Sequence, residues 1–140
     1  MTDSNNKRVL IIDRHSYWRD KVASALRDQG YDIQILSSYD YDPAREDDNT
    51  SGADLIILGC PRLNREERDL INTILSNHRH LIVFCSSLPW GDMRTLFMAG
   101  ADDVADKPYD AAQVISVVRE VLANITGGDK SKPPERIGVP

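Results

Sequence analysis

Asp13 follows Val9–Ile12, a short run with no polar residue. A carboxylate at the carboxyl end of a buried strand can hold a hard cation or pair with a nearby cationic side chain. Its plainer role is a loop cap or the acid at a helix start. Lys107, followed by Pro108, comes just after the minimal strand Asp103–Ala105 and could reach a bound anion or Asp13 itself. A loop lysine is otherwise simply solvated. Cys60 and Cys85 both end apolar stretches, with His15 near the same edge. Their spacing matches no zinc pattern, and three such ligands are too few for a closed site, so they read as buried structural thiols. His78 and His80 precede an apolar strand at its opposite end and read as solvated loop residues. Glu46-Asp47-Asp48 reads as a solvated acidic loop.

The elements that must position these groups are legible from apolar patterning. Val9–Ile12, Asp32–Leu36, Asp54–Leu58, Leu81–Cys85 and Asp103–Ala105 are strand-sized. The clearest of them lack alternation, as strands covered on both faces do. Trp18, Val22, Ala25 and Leu26 recur at helical spacing, and Gly30 supplies a stop. Asn64, three residues before Glu67, starts a helix with the stripe Leu70, Ile71, Ile74 and Leu75. Pro89 opens a helix whose core face is Met93, Leu96 and Phe97, and Gly100 ends it. Asp110 caps the last helix, with Val114, Val117, Val118, Val121, Leu122 and Ile125 on its inner face. Residues 37–53 carry Pro43, Asp47, Asp48, Asn49 and Gly52, and predict one or two turns and a mobile loop.

Strand and helix thus alternate along the chain, with short connections. The pattern predicts an α/β fold, a (βα)5 doubly wound parallel five-stranded sheet in three α/β/α layers. The working site of such a sheet lies outside the carboxyl ends of its strands, at a topological switch point. Residues 1–7 read as a polar lead-in, 8–126 as the domain, and 127–140 as a flexible tail or linker.

Composition narrows the function classes. The 140 residues suit one domain. Lys and Arg total 17 against 22 Asp and Glu, a net charge of -5, which argues against sequence-blind nucleic-acid binding and against a basic membrane-surface protein. No run approaches the about 20 apolar residues that span a bilayer. The polar N-terminus lacks a signal-peptide core, and two cysteines make no disulfide framework, so a cytoplasmic protein is expected.

Arg8-Val9-Leu10-Ile11-Ile12-Asp13, Ala53-Asp54-Leu55-Ile56-Ile57-Leu58, and Gly100-Ala101-Asp102-Asp103 leading to Lys107-Pro108-Tyr109-Asp110 together resemble a response-regulator receiver domain of the CheY-like kind. The resemblance spans about residues 8–125, and the last stretch is its most specific piece. It implies a flavodoxin-like fold and a role in two-component signal transduction or a phosphorelay. In that family an Asp after the third strand is phosphorylated by a histidine kinase. An acidic pair after the first strand holds Mg²⁺, and a hydroxyl residue and the Lys contact the phosphoryl group.

Carried over position by position, the resemblance places Gly59 at the acceptor position, where there is no side chain to phosphorylate. The acidic pair is reduced to Asp13, with Arg14 beside it. Cys85 stands at the hydroxyl position with Ser86 adjacent, and Val104 replaces the aromatic switch residue. Only Asp13 and Lys107 of the set remain. Two acids are lost and a cation is added, and at ~4 Å one unit-charge repulsion is worth about 4 kcal/mol even near a surface, so a Mg²⁺ site is disfavoured and no cofactor is expected. Asp54 cannot serve instead, because it starts its strand about 16 Å from the far end. The loop Cys60-Pro61-Arg62-Leu63-Asn64 also enters its helix sooner than is usual in receivers.

The expectation is a pseudo-receiver: no enzyme, no metal, and a vestigial site of Asp13, Arg14, Gly59, Cys85, Ser86 and Lys107. One reading has Arg14 fill the vacated metal position and pair with Asp13, in which case the R14D/G59D double variant should regain divalent-ion binding; the plainer one has Arg14 point to solvent, as most surface arginines do. Trp90, Val104 and Tyr109 are the candidate partner surface. Expected partners are proteins (a histidine kinase, an output domain or another signalling protein), with a homodimer allowed and neither nucleic acid nor membrane. Two alternatives stand beside this reading: a receiver phosphorylated at a non-standard residue, and a sensor whose emptied acidic pocket takes an anion or metabolite.

Overall fold

The computed structural model describes residues 7–43, 52–108 and 110–125. Its elements are β1 (Arg8–Ile12), α1 (Ser16–Asp28), β2 (Asp32–Leu36), β3 (Leu55–Cys60), α2 (Arg65–Ser76), β4 (Leu81–Cys85), α3 (Trp90–Ala99), β5 (Asp103–Asp106) and α4 (Ala111–Ile125). The five strands form one sheet in the order β2-β1-β3-β4-β5, with every neighbouring pair parallel. The expected doubly wound fold is therefore the observed one.

The side-chain period of two sorts each strand between the two faces. Val9, Ile11, Ile57, Ile82 and Phe84 pack with Trp18, Val22 and Leu26 of α1 and Val114 and Val118 of α4. Leu10, Ile12, Ile56, Leu58 and Val83 pack with Leu70, Ile71 and Ile74 of α2 and Leu96 of α3. Both faces are covered, which is why the central strands are continuously apolar: all of β3 and all of β4 are buried.

The helices end where the sequence provides for it. Gly30 and Gly100 adopt left-handed φ values of 96° and 116° after α1 and at the end of α3. At the start of α2 the Asn64 N–H donates to Glu67 Oε1 at 3.0 Å, and Asp110 Oδ1 accepts the Ala112 N–H at 3.0 Å.

Three expectations are corrected. β3 runs on through Gly59 and Cys60, which pair with Phe84 and Cys85, because a central strand keeps a ladder partner after its other neighbour has turned away. Phe97 is 37% exposed and Met93 only partly buried, so α3 seats itself on Leu96 and leaves Phe97 turned outward. Ala25 is half-buried, and Ala23 takes the inner place instead. Four helices lie among the described residues. The expectations for the lead-in (but for Lys7), for the centre of the 37–53 connection and for the 127–140 tail fall outside them. No helix among the described residues is long and apolar enough to cross a membrane.

Candidate functional site

The chain leaves β1 for β2 on one side and later returns to place β3 on the other. The crevice outside the carboxyl ends of β1 and β3 is therefore the switch point of the sheet. Asp13 enters it because the ladder continues one step past β1, with the Asp13 N–H donating to Leu36 O at 3.2 Å. Lys107 enters it in the same way past β5, its N–H donating to Cys85 O at 3.2 Å.

The two side chains meet. Lys107 Nζ lies 3.0 Å from Asp13 Oδ2, with the carboxylate fully buried and the lysine side chain 9% exposed. The approach is that of an ion pair; Oδ2 has no aligned hydrogen bond among the described residues. Oδ1 accepts the His15 N–H at 2.8 Å, and the exposed His15 ring stands 3.5 Å from it. A buried carboxylate with one fixed cation and one backbone donor is held mostly by charge, and removing either ion would strand the other.

Gly59 forms the floor. A Cβ placed on it would lie 2.4 Å from Asp13 Oδ2 and 2.9 Å from Trp18 Cζ3. Both distances are shorter than packed atoms allow, so the volume that a side chain at 59 would need belongs to Asp13 and Trp18. The indole is fixed on three sides. Its Nε1–H donates to Pro108 O at 2.8 Å, Lys107 Nζ sits 4.7 Å from the ring centre, and the ring tilts at 58° against Phe84 at 5.6 Å.

Arg14 is not in the crevice: of its two readings, the one that takes the metal position is set aside, and the side chain lies at the surface. Its guanidinium stacks over the Tyr39 ring at 3.9 Å and bonds Glu66 Oε2 at 2.6 Å, and the Glu66 contact raises its pKa. Arg14 thus ties the loops after β1 and β2 to the start of α2, across the mouth of the site. Burial raises the Tyr39 phenol well above its ordinary range, with nearby Cys60 and Glu67 adding to the effect. Cys60 and Cys85 face each other across β3 and β4, both fully buried. Burial and the adjacent Cys85 push the Cys60 thiol up as well, which disfavours its thiolate form. No cluster of three or more His, Cys, Asp or Glu able to hold a metal ion occurs among the described residues. Ser86 is exposed beside this edge, its N–H donating to Cys60 O at 3.0 Å.

The candidate partner surface divides. Trp90 is 80% exposed at the start of α3, with Met98 and Phe97 outward on the same helix. Val104 is 4% exposed within the core, so it offers no surface, which corrects that expectation. Tyr109 lies outside the described residues. The place of a side chain at position 59 is taken by Asp13 and Trp18.

Tyr39 lies in the strand-end segment Ser37–Tyr39, one of the places where the site of such a sheet is expected, whereas Trp18 and Glu66 belong to the site and are not among the candidate site residues of the sequence. Trp18 falls in a helical stripe with Val22 and Leu26 and looks like ordinary core. The usable signal was Gly59, because glycine inside an apolar strand marks a close approach by another group.

The opposite end of the sheet carries an open polar hollow of about 510 Å³ lined by Lys7, Asp54, His78, Arg79 and His80 among others. Within it the Arg79 guanidinium donates to the Ala53 carbonyl. His80 is less solvated than expected: its ring pairs with Asp102 at 3.2 Å.

The sequence matches none of the family models and none of the reviewed proteins. The fold, however, is similar to solved receiver domains. An orphan response regulator of Helicobacter pylori superposes with a TM-score of 0.70 at 18% identity, over 86% of this chain and 99% of that one. A CheY-like receiver domain protein from Methanospirillum hungatei gives 0.69 at 20% identity, over 84% and 94%. NtrX from Brucella abortus gives 0.68 at 20% identity, over 83% of this chain but 26% of that longer one. At these identities the likeness is one of fold.

Proposed function

We propose that this chain is a receiver-like module of two-component signalling whose state is set without phosphorylation, and that it acts by binding a protein partner. The likeness to response-regulator receivers supports the signalling role. One observation supports phosphorylation independence: the volume of an acceptor side chain at Gly59 is taken by Asp13 and Trp18. With Lys107 Nζ 3.0 Å from Asp13 Oδ2, the cation that would meet a phosphoryl group already has an internal anion. Position 59 offers no nucleophile and the acid pair for Mg²⁺ is reduced to Asp13, so phosphoryl transfer to this position has neither an attacking atom nor its charge compensation.

The partner is a histidine kinase, an output domain or another signalling protein. NtrX, where the similar region is 26% of the chain, shows such a unit within a longer protein. Incubation with acetyl phosphate and Mg²⁺, followed by intact-mass measurement, tests the reading. The unmodified mass is expected; a stable phosphoryl adduct on any residue would overturn it.

A further inference from the structure

We infer that Trp18 is a positioning residue that couples the size of the residue at position 59 to the conformation of the connection between β5 and α4. The inference rests on the phosphorylation-independent reading of the same crevice and supplies the device that holds its state.

The indole is one rigid plane with separate duties on its different atoms. Its Cζ3 edge occupies the place where a Cβ on residue 59 would stand, 2.9 Å away. Its Nε1–H holds the Pro108 carbonyl at 2.8 Å, ninety residues distant in sequence. Its face carries the Lys107 ammonium at 4.7 Å. Phe84, tilted against the ring at 5.6 Å, closes the side toward β4. A flexible aliphatic side chain would absorb a push at one end by changing rotamer. A buried indole turns as a body, so an atom added at residue 59 moves the hydrogen bond to Pro108 and the seat of Lys107 together.

Among the described residues of the connection the other anchors are these. Lys107 is held by its N–H to Cys85 O at 3.2 Å and by Asp13. Asp110 is exposed and bonds only within the start of α4, through Ala112 and Gln113. Among the described residues between these points, the Trp18–Pro108 bond is the link to the crevice. Glycine at 59 therefore permits the indole to sit deep, and the seated indole sets the course of the chain into α4.

The test is a double-mutant cycle on the whole protein with W18F, G59A and W18F/G59A. The readout is the rate at which the Lys107 amine is acylated by acetic anhydride, followed by peptide mass spectrometry, with urea unfolding as the control for folding. W18F deletes the N–H and keeps an aromatic ring, so Lys107 should be acylated roughly fivefold faster or more, the factor that one ordinary hydrogen bond represents. G59A should accelerate acylation too, and the double variant should be no faster than the faster single one. A W18F protein that is folded and acylated at the wild-type rate overturns the coupling, and it does so even if G59A fails to fold. Multiplying effects in the double variant also overturn it, because a merely structural loss at each position would multiply. Neither result touches the acetyl phosphate experiment, so failure of the coupling and failure of the phosphorylation-independent reading are distinguishable.

Discussion

Gly59, Asp13 and Lys107 carry the account at the residue scale, and each makes a measurable demand. A Cβ at 59 would lie 2.4 Å from Asp13 Oδ2. Gly59→Ala should therefore cost roughly 1–3 kcal/mol by overpacking, and Gly59→Asp more, since it adds a second carboxylate. Urea unfolding measures both, and the R14D/G59D variant is expected to lose stability rather than gain Mg²⁺ affinity. Lys107→Met leaves the fully buried Asp13 without its cation. It should cost about 3–5 kcal/mol, while the Asp13→Asn/Lys107→Met pair should unfold later than Lys107→Met alone. Cys60 gives a pH dependence of known sign. Its folded thiol holds its proton beyond the range where an unfolded thiol has lost it, mainly because it is buried. Its contribution is full below the unfolded value and is lost as pH rises. Stability should fall above pH ~8.5 by about 1.4 kcal/mol per unit for this proton, and Cys60→Ala should flatten that limb.

The elements show how far apolar patterning reaches and where it stops. β2 and β4 fall on the expected residues, and the α2 stripe Leu70, Ile71 and Ile74 is buried as its spacing requires. Ile74→Ala should accordingly cost about 2–5 kcal/mol, whereas Trp90→Ser on the exposed start of α3 should stay within about 0.5 kcal/mol. A Trp90→Ser variant that is stable yet fails to bind its partner would mark a recognition residue. The end of β3 was not legible, because glycine is a poor strand former and reads as a stop. In the fold it is retained by the ladder to Phe84 and by the indole that needs its missing side chain. Phe97 was misread for a related reason. Helical spacing marks a face but does not say how deeply a short helix is seated, and α3 buries only Leu96. Position 14 shows the same limit in the site. That an arginine replaces an acid is visible in the sequence; that it reaches away to Tyr39 and Glu66 depends on three loops meeting.

For the whole molecule, a net charge of -5 describes the surface, while the crevice is governed by one buried acid and one buried base. The sheet order β2-β1-β3-β4-β5 brings residues 13, 18, 59 and 107 to one switch point, and the chain fills that point with its own side chains. A crevice occupied from within, as proposed above, would have no use for a phosphoryl group or its metal. Titration of the protein with Mg²⁺ and beryllofluoride, followed by the backbone amide signals of Asp13, Gly59 and Lys107, tests this most directly. These signals are expected to stay in place throughout the titration. A saturable, Mg²⁺-dependent shift of all three would contradict it.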